Sequence, residues 1–142
     1  MPMQIIASEG VFTSAAEQSV FAKLTDLLLE LNGISGHSFM KPNVIGEVTI
    51  ISKNRTFSGG KPAQIAIFEL KVPSFVLSTR ESQLNWIKRG TDIILEAAEG
   101  KLTKDQVWGN VAFAADGLWG INGHAYTNEE LGGVLGGEMA PF

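Results

Sequence analysis

The sequence predicts an α+β fold: two tandem β-α-β units forming a four-stranded mixed sheet with two helices on one face. Three observations predict it. Pro2-Met3-Gln4-Ile5-Ile6 is echoed sixty residues later by Pro62-Ala63-Gln64-Ile65-Ala66, a helix-capping signal follows each echo, and an apolar stripe at helical spacing follows each cap. The 142 residues, 44% apolar and 18% charged, suit a single domain (1–142) with a sizeable core. Within it we place repeat one at 2–60, repeat two at 61–125, and a tail at 126–142.

The elements follow in order. Met3–Ser8 and Gln64–Val72 read as short strands, rich in apolar and β-branched residues with no internal proline. Glu69 stands seven residues after Pro62, as Glu9 stands seven after Pro2, which extends the echo. Ser14-Ala15-Ala16-Glu17 and Ser78-Thr79-Arg80-Glu81 fit capping boxes, with serine as the expected N-cap. Phe21, Leu24, Leu28 and Leu31 then share one helical face, as do Leu84, Ile87, Ile94 and Ala98. Asn32-Gly33 and Gly100 supply the stops. Val44–Ser52 and Val107–Phe113 read as the second strand of each unit. Ile50 and Ile65–Ile67 leave few polar positions to alternate toward water, so the helix-free face is expected to be apolar and covered by other subunits. Phe57-Ser58-Gly59-Gly60 and Trp119-Gly120-Ile121-Asn122-Gly123 read as hairpin turns, not phosphate loops. The glycine-rich stretch before Glu138–Phe142 reads as a loose tail or an arm laid on a neighbour.

Composition removes several function classes. A net charge of −4 argues against a nucleic-acid binder, because no positive field would displace counterions from phosphates. The absence of cysteine excludes disulfides, thiolate metal sites and cysteine nucleophiles, and two distant histidines do not suggest a metal centre. No stretch approaches the roughly 18–20 apolar residues of a membrane span. The start lacks a basic leader. We expect a cytoplasmic protein with no cofactor, metal, nucleic-acid partner or membrane partner.

These pieces resemble the tautomerase superfamily, which includes 4-oxalocrotonate tautomerase and macrophage migration inhibitory factor. Four features carry the resemblance: Pro2 directly after Met1 at the start of a strand, the Glu9-Gly10 pair ending that strand, the duplicated unit over about residues 2–125, and Trp119-Gly120-Ile121-Asn122-Gly123, similar to the family's aromatic-Gly-Ile-Gly hairpin. The resemblance implies a homotrimer of the fused two-repeat type. It also implies a cofactor-independent keto–enol tautomerase acting on a small 2-keto or 2-hydroxy-dienoate acid.

Pro2 would be the general base and then the acid. Freed by loss of Met1, its secondary amine needs a lowered pKa to be uncharged, and an apolar pocket or a nearby cation supplies that. The plain alternative is a proline that merely follows a start codon. Trp119 takes the place of the aromatic that lines the dry wall in the family; it can equally be a hairpin aromatic at a subunit interface. The arginine that the short tautomerases place after Glu-Gly is Val11 here, and the arginine expected on the last strand is Trp108. Lys71 is the candidate to hold the substrate carboxylate, against the alternative of a solvated strand-end lysine. Lys41, Lys53 and Arg55 read as surface charges. Asn110 could donate to a developing enolate oxygen or be a core asparagine satisfied by backbone. Two rivals stay open: a hydratase or dehalogenase of a small unsaturated acid, and a non-catalytic trimer that binds a ligand.

Overall fold

In the computed structural model, which describes residues Met1–Phe142, the chain runs β1 (Pro2–Ser8), α1 (Ser14–Leu31), β2 (Ile45–Ile51), β3 (Phe57–Ser58), β4 (Lys61–Pro62), β5 (Ala66–Pro73), α2 (Arg80–Ala98), β6 (Val107–Ala114), β7 (Trp119–Ile121), β8 (His124–Tyr126) and α3 (Asn128–Leu135). The main sheet has the order β2-β1-β5-β6. Within each unit the two strands are parallel, and the units meet through the antiparallel β1–β5 pair. This is the expected α+β architecture of four mixed strands, with a third helix added.

One face of the sheet is packed. Met3, Ile5 and Ala7 of β1 and Phe68, Leu70 and Val72 of β5 are buried in one cluster with Leu24, Leu28, Trp86 and Ile94 of the helices. Strand alternation turns the intervening residues to the other face. Cross-strand register arranges these in rows: Glu47, Gln4, Glu69 and Asn110 form one, and Thr49, Ile6, Ile67 and Trp108 the next. The helix-free face is therefore part polar, not the apolar surface expected. Ile50 pairs with Ala7 on the helix side, and Ile65 precedes β5. Trp108 and Ile45 remain exposed on this face.

The structural repeat is not the sixty-residue echo. Pro62 lies in β4, which pairs with β3 outside the main sheet, and β5 starts only at Ala66. Buried hydroxyls set that starting point: Ser8 Oγ accepts from Ile65 N at 2.8 Å and lies 2.7 Å from Thr56 Oγ1. Glu69 consequently sits mid-strand, whereas Glu9 lies in the turn after β1.

The caps are displaced by one residue in opposite senses. Thr13 and Thr79, not Ser14 and Ser78, are the N-caps, with Oγ1 atoms accepting from Ala16 N and Ser82 N. Of the predicted α1 stripe, Leu24 and Leu28 are buried, and Phe21 and Leu31 pack partly buried against the core. Half of the α2 stripe is buried, Ile94 and Ala98, but Leu84 and Ile87 are exposed and Trp86 and Gly90 complete the buried line in their place. Gly90 lets α2 lie close to the sheet, since a Cβ there would meet the Phe68 ring at 2.7 Å. Gly109 on β6 leaves the same room on the ring's other side, and Trp86 meets Phe68 edge-on at 5.9 Å.

Residues 126–142, expected as a tail, pack on their own chain. Thr127 and Glu130 form a capping box for α3, whose Leu131 and Val134 are buried. Beyond it, Phe142 N donates to Tyr126 Oη at 2.9 Å and its ring stacks on His124 at 3.9 Å. Both expected hairpins form, with Asn122-Gly123 turning between β7 and β8. No helix is long and apolar enough to cross a membrane.

Candidate active site

Pro2 opens β1 on the helix-free face, half-buried. Because Met3 pairs with Leu70 in the antiparallel ladder, the next step brings Pro2 level with Lys71. Ile45 is the register partner of Pro2 on its other side. Two strand residues further in comes the polar row. Together Pro2, Gln4, Ile45, Glu47, Glu69 and Lys71 line a cavity of about 250 Å³, with Met3, Gly46 and Leu70 completing it. Gly46 is required there: any Cβ would collide with the backbone carbonyl of Met3.

The charges in this cavity are unevenly held. Gln4 Nε2 donates to Glu47 Oε1 at 2.6 Å. Lys71, Glu47 and Glu69 form no ion pair, since the four pairs in the chain all involve other residues. Lys71 is exposed, so its ammonium is available to an anion.

Met1 decides what the Pro2 nitrogen can do. Its side chain belongs to the core, 3% exposed, and its amine donates to the Asn43 carbonyl oxygen. Burial pushes that amine down from 8.0 to about 5, because the apolar surroundings disfavour the ammonium. While Met1 is attached, the Pro2 nitrogen is an amide with no basicity. Only after its removal is Pro2 a secondary amine at the edge of the cavity.

The other predicted residues are dispersed. Asn110 is not a core asparagine: it is exposed in mid-β6, opposite Glu69, at the end of the polar row. Trp119 is buried in the hairpin, its indole N–H without an acceptor, and does not line the Pro2 cavity. Val11 is fully buried, so the position of the family arginine is core here. Lys41 pairs with Asp26 at 3.1 Å, and Lys53 lines a separate polar cavity of about 480 Å³ beyond the far end of β1. No three His, Asp or Glu side chains come together to hold a metal.

The sequence reasoning missed Gln4, Glu47 and Glu69. Alternation from Pro2 and Lys71 could have found Gln4 and Glu69, each two residues away on the same face; Glu47 needs the β1–β2 register.

No family model and no curated protein matches this sequence. Solved structures do. The chain superposes on Pt0534, solved after inactivation by 2-oxo-3-pentynoate, and on Q0 fused 4-OT, solved as a symmetric trimer. Each gives a TM-score of 0.75 at 13% identity, over 93% of this chain and 99% of the other. N1, a member of the cis-3-chloroacrylic acid dehalogenase family, gives 0.75 at 14%, over 93% and 89%. The chain has the tautomerase fold.

Proposed function

We propose that the chain is a cofactor-independent keto–enol tautomerase of a small 2-keto or 2-hydroxy-dienoate acid, assembled as a homotrimer. One observation carries it: Pro2 and Lys71, remote in sequence, come level on one sheet face and line the same cavity. With Met1 removed, the Pro2 amine takes a proton from carbon or from the enol hydroxyl and returns it elsewhere on the conjugated system. Lys71 holds the carboxylate as a point charge, and Asn110 donates to the oxygen on which enolate charge develops. The inactivation of the fold neighbour Pt0534 by a 2-oxo acid supports this substrate class. Trp119 has no part in the cavity within one chain, and its proposed role as a dry wall would need a rearranged or adjoining copy. The fused 4-OT trimer supports the assembly.

The test is ketonisation of phenylenolpyruvate by protein whose intact mass shows Met1 removed. Pro2→Ala should lower kcat/KM about 100-fold or more; equal rates in the two proteins would overturn the proposal, and so would full activity with Met1 retained.

A second reading has its own observation. Glu47 and Glu69 place two carboxylates in the cavity, either of which could activate water for a hydratase or dehalogenase, and the N1 neighbour belongs to a dehalogenase family. Halide release from 3-chloroacrylate without ketonisation would select it.

A further inference from the structure

The cavity holds more negative than positive charge, and the arrangement bears on which acids it admits. Lys71 is the only cationic side chain that lines it, while Glu47 and Glu69 are its two carboxylates, neither ion-paired. Glu47 and Glu69 flank Gln4 in one cross-strand row, and Gln4 spends its amide on Glu47. Lys71 lies one row away, two residues from Glu69 along β5, or roughly 6.6–6.8 Å of strand.

Resting on the tautomerase reading, we propose that this site takes 2-keto acids with a single carboxylate and turns away dicarboxylates, with Glu47 and Glu69 as the selecting residues. A 2-keto acid seated on Lys71 has its carboxylate at the only lysine of the cavity, and its carbon chain extends over the row beside it. A hydrocarbon or hydroxyl end there meets Gln4 and the aliphatic stems of the two glutamates. A second carboxylate there meets two like charges across a short gap, which is repulsive even in partly hydrated surroundings. Discrimination then comes from the group that is refused more than from the one that is held.

The matched probes are 2-oxohexanoate and 2-oxoadipate, equal in chain length and differing in the terminal carboxylate. Binding is read from NMR shifts of the Gln4, Glu69 and Lys71 backbone amides, independently of turnover. At neutral pH and low salt the monoacid should bind about fivefold more tightly, as expected for exposed charge pairs, and added salt should narrow that ratio. In Glu47→Gln/Glu69→Gln the ratio should fall toward one through tighter binding of 2-oxoadipate. Each single variant, which keeps the side-chain shape, should give part of that change. Equal or tighter binding of 2-oxoadipate by the native protein overturns the proposal, as does an unchanged ratio in the variants. Failure of both acids to shift these amides overturns it together with the site. The expected ratio in a protein that ketonises nothing would uphold the charge selection and remove only the tautomerase chemistry.

Discussion

At the middle of the sheet the two repeats fill one duplicated slot in different ways. Ile5 and Phe68 face each other across the β1–β5 ladder, and each has a partner on its outer strand: Val48 beside Ile5, Gly109 beside Phe68. The first repeat uses two side chains of middling size. The second uses one large ring and empties the neighbouring positions, Gly109 on the strand and Gly90 on the helix. Close packing demands that the total volume be right and tolerates different divisions of it. The helix-free face follows no such rule. There Pro2 and Gln4 in one repeat stand against Glu69 and Lys71 in the other, so the packed face keeps the duplication while the other face supplies the unlike groups that a site needs.

Exchanging the two solutions should break the packed face first. Gly109→Val places methyls against the Phe68 ring, where even a Cβ would lie 2.5 Å away, and should destabilise by roughly 1–3 kcal/mol in urea unfolding. Adding Phe68→Ile should recover part of that loss. On the free face, Lys71→Ala should raise KM about tenfold with little change in kcat, equivalent to ~1.4 kcal/mol of binding, while leaving the urea midpoint in place. Lys71→Arg should restore part of the affinity.

The caps sharpen the likeness between repeats. Thr13→Ala and Thr79→Ala should each cost about 1 kcal/mol, measured by thermal unfolding. Ser14→Ala and Ser78→Ala should change stability by less than about 0.5 kcal/mol. The smallest effect lies outside both repeats. The Glu130 carboxylate is held below its usual range by the Thr127 backbone N–H first and by His124 next. A depressed folded pKa contributes stability above the unfolded value, which is lost as pH falls through the folded one. Wild type should therefore exceed Glu130→Gln in stability near neutral pH and lose that advantage below the usual carboxylate range.

Much of this architecture was legible in the sequence. The apolar periodicity located both helices, and the two-unit pattern gave the strand order within each unit. What escaped depended on contacts that spacing does not encode. Thr13-Ser14 and Ser78-Thr79 are adjacent cap-competent pairs, and the local pattern cannot choose between the members. Hydrophobic spacing gives weight to Leu84 and Ile87 but none to Gly90, although Gly90 is the position that sets how α2 lies on the sheet. Lys71 stands out in the sequence only as a strand-end cation; that it comes level with Pro2 follows from the antiparallel β1–β5 register. Glu47 joins the cavity through a pairing between strands separated by a whole helix. Trp119 was drawn toward the site by motif likeness alone.

The row geometry also limits how β1 could be lengthened. Each added residue reverses which side of the sheet Pro2 occupies, because strand side chains alternate strictly. A one-residue insertion between Pro2 and Met3 would turn the ring toward the helices, whereas a two-residue insertion would return it to the correct side but beyond the reach of Lys71. The position of this proline is thus a matter of parity as well as distance, and protein engineers extending the strand would find no intermediate length that preserves both.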